Sequence, residues 1–164
     1  MWWAKSKIDK SLTFEQLMSR SFGKKSSSFW SNSPRGLQIE DIQRYLESGG
    51  EVNQCNANND TLLHLAAANG CEDVAKLLLA RGAHINAKDL QGYTPLHLAV
   101  DGDCDTTVQD GKPATGLPMV KLLIEAGADE SARDEDGEIP RDTAVAYGKV
   151  FAKLYDAISK RQGK

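Results

Sequence analysis

Cysteine, histidine and long apolar runs are scarce in this sequence. Its 164 residues include three cysteines and three histidines, and no two cysteines form a Cys-x-x-Cys pair, so we expect neither a disulfide framework nor a zinc site. No apolar run approaches the roughly 18 residues of a membrane helix. The amino-terminal segment lacks the apolar core of about 7–15 residues that a secretory signal needs. These absences predict a cytoplasmic protein.

Catalytic signatures are also missing. The sequence has no Gly-x-Ser-x-Gly, no phosphate-binding P-loop and no His-Glu-x-x-His, which excludes several common enzyme classes. Cys104 lies among aspartates, and neighbouring carboxylates raise the pKa of a thiol and weaken it as a nucleophile. We therefore expect no enzyme activity, no catalytic or metal-binding residues and no cofactor.

The charges are distributed unevenly along the chain. The formal net charge is -3, yet residues 1–36 contain seven basic and two acidic residues, so the remainder has a net charge of -8. An acidic body attracts basic protein surfaces and repels nucleic acid. The basic segment itself leaves two interpretations open. Its aromatic residues could cover an open end of the fold, or they could contact nucleic acid or an anionic membrane: Trp2, Trp3, Phe29 and Trp30.

An internal repeat of 33 residues organises the rest of the chain. The segment TLLHLA at 61–66 recurs as TPLHLA at 94–99. The segment GAHIN at 82–86 matches GGEVN 33 residues earlier and GADES 45 residues later. The second spacing exceeds the first by 12, so the third unit contains a 12-residue insertion within 100–118. Such a repeat indicates an array of stacked units.

Each unit has the sequence of a pair of helices followed by a turn. Thr94 can cap a helix, and Pro95 suits its first turn, where the missing N–H costs nothing. A second helix has apolar residues at near-helical spacing and ends at Gly82, since glycine adopts the left-handed conformation readily. One such pair cannot bury its own apolar face, so the units must stack.

These residues resemble the ankyrin-repeat family, most closely in GYTPLHLAV, VAKLLLARGAHINAKD and MVKLLIEAGAD. The resemblance implies an all-α solenoid of helix-turn-helix units with β-hairpin-like turns. It also implies that His64 and His97 hydrogen-bond the backbone of the neighbouring turn. The expected layout is an N-terminal capping helix and Ser-rich loop at 1–36, about four repeats at 37–160 and a tail at 161–164.

The two terminal units depart from the repeat pattern. At the amino end we expect a helix over 13–22 that starts with a capping box of Thr13 and Gln16. In the last unit Arg141 and Asp142 replace Leu and His, which is typical of a capping repeat whose outer face meets water.

The insertion begins with the acidic stretch DGDCDTTVQDGK at 101–112. Its alternate aspartates resemble the first ligands of a calcium loop, but Thr106 occupies the place of the required glycine and Lys112 that of the closing glutamate. Two other interpretations remain, a solvated loop broken by glycine and proline or an extension of a binding surface.

The resemblance implies a concave partner-binding surface made by the turns and the residues after the paired alanines. Leu90 and Tyr93 have the character of interface hot spots there, and the surrounding acids favour a partner with a basic patch. The candidate residues are Asn58, Asp60, Asn69, Leu90, Gln91, Tyr93, Asp101, Asp103, Asp105, Glu135, Asp136 and Glu138.

The sequence therefore predicts a monomeric, non-catalytic binding protein. We expect a stand-alone binder that inhibits or neutralises one partner protein, as an immunity protein or inhibitor does, with no nucleic acid or membrane partner. The alternatives are an adaptor or scaffold protein and a metal-responsive module that uses the aspartates of the insertion.

Overall fold

A computed structural model describes residues 13–19, 38–109 and 116–160. These residues form eight helices. In chain order they are α1 (Phe14–Ser19), α2 (Ile39–Glu47), α3 (Leu62–Ala68), α4 (Glu72–Ala80), α5 (Pro95–Gln109), α6 (Pro118–Glu125), α7 (Pro140–Tyr147) and α8 (Lys149–Ser159). Within the same ranges the only β-structure is an isolated bridge between Cys55 and Thr61.

Helices α2 to α8 stack in two rows. The first helices α3, α5 and α7 pack directly against one another, and the second helices α2, α4, α6 and α8 form the outer row. Contact is more extensive in the first row. The predicted all-α solenoid is confirmed.

Leucine and alanine residues at equivalent positions of successive units form much of the interior. Leu63 and Leu96, which are equivalent in successive units, are fully buried, as are Ala66 and Ala99. The alanines bring the helix axes close, and the leucines fill the space between units. Full burial of each leucine contributes about 1.5–3 kcal/mol to the stability of the stack.

The helix ends follow the local sequence signals. Thr61 caps α3 by accepting a hydrogen bond from the backbone N–H of His64. Gly82 ends the second unit with φ of 86°, and the following N–H of Ala83 donates to the carbonyl of Leu78 at 3.0 Å. This left-handed glycine closure is the one predicted from the sequence.

Helix α1 covers the amino-terminal end of the stack. The predicted capping box is present: the N–H of Thr13 donates to Oε1 of Gln16 at 3.0 Å, and the N–H of Gln16 donates to Oγ1 of Thr13 at 3.3 Å. Phe14 is buried and lies 6.4 Å from Tyr45 between ring centroids. The expected helix over 13–22 is seen as far as Ser19. Residues 20–22 and the four aromatic residues named above lie outside the described residues.

The last unit closes the stack with an ion pair. Arg141, at the position of Leu63 and Leu96, donates to both carboxylate oxygens of Asp156 at 2.6 and 3.0 Å. This bidentate pair joins α7 to α8. Behind it, Phe151 and Tyr155 of α8 are buried. These contacts agree with the interpretation of this unit as a cap.

The insertion differs from the expected loop. Helix α5 has 15 residues and continues to Gln109, so the first nine residues of the acidic stretch are helical. The physical reason lies in two contacts that a glycine- and aspartate-rich sequence does not reveal. Asp103 is bonded to α6, and Gly102 lets α5 cross the end of α3 without a clash. Residues 110–115 lie outside the described residues.

Gly102→Ala tests this crossing. Alanine normally stabilises a helix interior by up to about 1 kcal/mol relative to glycine. Here a Cβ would lie 2.6 Å from the carbonyl oxygen of Ala68, and a backbone atom cannot move aside. We expect the free energy of unfolding to fall by about 1–3 kcal/mol, measured by urea denaturation. Gly116→Ala, whose Cβ would meet no atom within 4 Å, is the control. Equal effects of the two changes would contradict the close approach.

Candidate binding surface

Three turns project from the stack, and we call them finger 1 (56–60), finger 2 (89–93) and finger 3 (134–138). Each is locked by the side-chain oxygen of its first residue: Asn56, Asp89 or Asp134. That oxygen accepts the backbone N–H groups two and four residues later, at 2.8–3.0 Å. Such side-chain-to-backbone bonds fix a turn without help from a partner.

The fourth residue of each finger has a positive φ. Asn59, Gly92 and Gly137 have φ of 63°, 78° and 82°, a region that asparagine and glycine tolerate best. At Gly92 glycine is also required by space, because a Cβ would lie 3.0 Å from the Cα of Asp134 in the next finger. The fingers therefore pack closely side by side.

Backbone hydrogen bonds join the fingertips into one strip. The N–H of Leu90 donates to the carbonyl of Asn58, and the N–H of Glu135 donates to the carbonyl of Gln91, both at 2.9 Å. These bonds fix the spacing of the tips, so that a partner meets a rigid edge.

Two buried histidines hold finger 2 and finger 3 to the unit that precedes each of them. Nε2 of His64 lies 3.1 Å from the carbonyl of Tyr93, and Nε2 of His97 lies 3.3 Å from that of Glu138. In each ring Nδ1 accepts the N–H of the capping threonine at 3.1 Å, so Nε2 carries the proton and donates. Burial lowers the pKa of both imidazoles. The role predicted for these histidines is confirmed.

The exposed tips differ in chemistry from one finger to the next. Finger 1 presents Asn58, which is neutral. Finger 2 presents Leu90, which is 49% exposed, and Gln91. Finger 3 presents Glu135 and Asp136, and four of its five residues are acidic. Exposed Glu138 stands at the base of finger 3. The strip therefore runs from neutral through apolar to strongly acidic.

Tyr93 lies at the base of finger 2 and is partly buried. Its ring contacts His97 with 5.7 Å between centroids. Burial and the nearby carboxylates of Asp134 and Asp136 raise the pKa of its phenol. Tyr93 is thus an aromatic group held beside the acidic finger, with part of its surface still open.

Two predicted surface residues are buried. Asp60 is 8% exposed and accepts the side-chain amide of Asn56 at 3.0 Å. Asp103 is also 8% exposed, and its Oδ2 accepts the N–H of Val120 at 3.0 Å. Both carboxylates are occupied in holding the fold, so we exclude them from the binding surface. A third predicted residue, Asn69, is partly buried and donates to the carbonyl of Leu65 at 2.7 Å.

Asp101 and Asp105 lie on the side of α5 opposite to Asp103. Asp101 is exposed and accepts the phenol O–H of Tyr147 at 2.8 Å, whereas Asp105 is partly buried. Because a helix places alternate residues on opposite sides, these aspartates cannot converge on one calcium ion. Across the described ranges no group of three or more His, Cys, Asp or Glu side chains could hold a metal. The three aspartates in the helical part of the insertion therefore do not form the calcium loop that their spacing resembles.

Cys104, which stands between Asp103 and Asp105 in the sequence, is buried in the core. Burial and the charges of Asp103 and Asp101 raise the pKa of its thiol to about 12, so it stays protonated at neutral pH and is a poor nucleophile.

Among the helices in the described ranges, none has both the length and the apolar character that a membrane span needs.

Tyr147 helps to position the insertion, a role that was not predicted from the sequence. It occupies the position of Asn69, which directly follows α3, and of Gly102 in α5, and its hydrogen bond to Asp101 joins α7 to the insertion. Alignment of the three units at this position reveals the change from small or polar to aromatic, although it does not reveal the bonding partner.

Comparisons with known proteins agree with this geometry. The profile of ankyrin repeats in three copies matches residues 33–109, and that of the single ankyrin repeat matches residues 91–135. Among relatives, a putative ankyrin repeat protein of Rickettsia bellii is 35% identical over 120 residues, which are 73% of this chain and 46% of that protein.

Two mouse proteins are similar over comparable lengths. Rabankyrin-5 is 31% identical over 115 residues, which are 70% of this chain and 9% of that protein. Protein phosphatase 1 regulatory subunit 27 is 38% identical over 97 residues, which are 59% of this chain and 55% of that protein. The chain spans about half the length, or less, of these relatives.

The buried carboxyl of Asp103 predicts a pH-dependent stability. Burial raises its pKa to about 6, above the unfolded value of about 3.9, so folding favours the protonated form. Its contribution is therefore largest below about pH 4 and is lost as the pH rises through about 6. Between pH 4 and 7.5 the free energy of unfolding of the wild-type protein should fall by about 2 kcal/mol through this group, since one pKa unit corresponds to about 1.4 kcal/mol. We expect Asp103→Asn to abolish this fall.

Urea denaturation of both proteins at several pH values measures this difference. The two histidines have the opposite dependence, because a lowered pKa costs stability as the pH falls below about 6.5. They are shared by wild type and variant and cancel in the comparison. Parallel stability curves for the two proteins would show that Asp103 does not titrate as inferred.

Proposed function

The chain belongs to the ankyrin-repeat family, and from that premise we propose that it inhibits one partner protein by binding it and covering its working surface. Ankyrin repeats indicate a protein–protein interaction module. We define the binding face as the exposed residues of the three fingers together with those of α3, α5 and α7. The partner carries a basic patch that meets finger 3, and the mechanism is steric occlusion without chemistry.

The observation that carries this proposal is the apolar tip of finger 2 beside the acidic finger 3. Leu90 is half exposed although it is a large apolar residue, and part of Tyr93 is open next to it. Apolar and aromatic anchors surrounded by charge are typical of interface hot spots. The carboxylates around them attract a basic partner and reject an acidic one.

The rigidity of the fingers supports tight binding. Each finger is closed by its own side chain, and neighbouring fingers are bonded to each other. Association normally costs about 0.5–1.5 kcal/mol for every mobile side chain that it orders, and further free energy for loops. A surface whose turns are already fixed avoids most of the loop cost.

A relative supports a regulatory role. The mouse and human proteins that are 38% identical to this chain are named as regulatory subunits of protein phosphatase 1. Regulation of another protein by binding it is the kind of activity that we propose for this chain. The partner of these relatives does not identify the partner of this chain, because the exposed residues that determine partner specificity differ among ankyrin-repeat proteins.

The other candidate is an adaptor or scaffold protein. An adaptor leaves its first partner active and binds a second partner at the same time, whereas an inhibitor reduces the activity of the partner in proportion to the amount added. Titration of the chain into its purified partner, with that partner's own activity as the readout, separates the two. An unchanged activity at saturation would refute inhibition.

Leu90→Ala tests the apolar anchor. We expect the affinity for the partner purified from the native host to fall at least tenfold, because a hot-spot truncation costs more than about 1.4 kcal/mol. The melting temperature should not change, since Leu90 stands at an exposed tip. Calorimetric titration measures the affinity. An affinity within twofold of wild type would exclude finger 2 from the interface.

Glu135→Lys tests the charge of finger 3. We expect this change to slow association more than it speeds dissociation, with the difference shrinking at high salt, because exposed charges act mainly by steering. Surface plasmon resonance at low and high salt measures both rates. Glu125→Lys, at the exposed end of outer helix α6, is the matched control and should leave association nearly unchanged. Equal effects of the two reversals would argue against the binding face.

A further inference from the structure

Helix α5 is much longer than its neighbours in the row of first helices. It has 15 residues, compared with seven in α3 and eight in α7. At 1.5 Å per residue, the difference extends α5 by roughly 11 Å beyond them. We call residues 101–109 the α5 extension. It lies at the end of the row opposite to the fingers, because the fingers precede the amino ends of these helices.

Three contacts hold the base of the α5 extension to the stack. The phenol of Tyr147 in α7 donates to Oδ1 of Asp101 at 2.8 Å. On the other side of the helix, Asp103 accepts the N–H of Val120 at the start of α6. Between them, Gly102 permits contact with the carbonyl of Ala68 at the end of α3. The extension is thereby fixed to three different helices and is not a loosely attached loop.

One side of the α5 extension faces outward. Asp101, Asp105 and Val108 follow one another at intervals of four and three residues, so they share a helix face. Asp101 is exposed, Asp105 is partly exposed and Val108 is 57% exposed. Leu98, which is partly buried, precedes Asp101 by three residues and so lies on the same helix face. The face therefore continues the surface of the first-helix row past the point where α3 and α7 end.

We propose that the α5 extension is a second arm of the binding face, which together with finger 3 holds a basic segment of the partner protein between two acidic ends. This inference rests on the proposed function and adds the kind of segment that fits. From Thr94 at the finger end of α5 to Asp105 the helix rises about 16 Å. A matching segment carries arginine or lysine at both ends of a span of this length, with apolar residues between them.

Charge decides among the possible occupants of this face. A second copy of the chain would bring its own acidic finger and extension against the same acidic groups, which is unfavourable. Nucleic acid is repelled for the same reason. A basic protein segment is attracted at both ends. Partly exposed Leu98 supplies apolar contact between them, and partly exposed Tyr93 supplies it beside finger 3.

The test is a nuclear magnetic resonance titration of the ¹⁵N-labelled chain with decaarginine at low salt. Decaarginine is a probe of charge that is long enough to reach both acidic ends. We expect the backbone amides of residues 101–109 and 134–138 to shift together with one dissociation constant. Decaglutamate of the same length should shift neither group.

A pair of matched double variants measures the contribution of the arm. Asp101→Asn with Asp105→Asn removes two charges from the α5 extension, and we expect decaarginine to bind about three- to tenfold more weakly, since an exposed ion pair is worth up to about 1 kcal/mol. Asp73→Asn with Glu125→Gln removes two exposed charges from the outer helices and should weaken binding less than twofold. Thermal melting verifies that all variants are folded.

The outcomes separate this inference from the proposed function. Shifts confined to residues 134–138, or equal losses in the two double variants, would overturn the second arm and leave the acidic finger as the binding site. Shifts in neither region would overturn both proposals. Shifts in both regions, with the larger loss in the arm variant, would support both.

Discussion

The mutual burial of neighbouring helix pairs is the interaction on which this molecule depends. Leu63 and Leu96 are fully buried, and the helices that carry them, α3 and α5, pack directly against each other. Stability in such an array is a sum over interfaces between neighbours. The apolar face at each end of the array must therefore be covered in another way. Helix α1 covers one end with Phe14, and Arg141 replaces a leucine at the other and pairs with Asp156.

The same stacking prepares the surface that we propose for binding. Because the pairs repeat at a regular spacing, their turns come side by side, and the carbonyl of one fingertip receives the N–H of the next. The interior thus determines where the tips are, and the tips remain free to vary in chemistry. This division explains how Ala57, Leu90 and Glu135 can occupy equivalent places with such different side chains.

The features that follow from the repeat could be predicted from the sequence. The spacing of 33 residues located Thr61, His64 and their counterparts, and the structure confirms their hydrogen bonds. The insertion was harder because it interrupts the repeat. Its helical start depends on Asp103 meeting Val120, 17 residues away, and on Gly102 fitting against α3. The burial of Asp60 was missed for a similar reason, since its partner Asn56 lies across the turn. Such pairings depend on three-dimensional placement and leave no periodic trace.

The imidazole bonds give the array a polarity. Each donor belongs to one unit and each acceptor to the unit after it, from His64 to Tyr93 and from His97 to Glu138. Truncation of the array is therefore unequal at its two ends. Loss of the last unit removes Glu138 and leaves the Nε2–H of buried His97 without its acceptor. Loss of α1 and α2 breaks neither of the two imidazole bonds. Shortened versions of the chain would do better to be trimmed from the amino-terminal side.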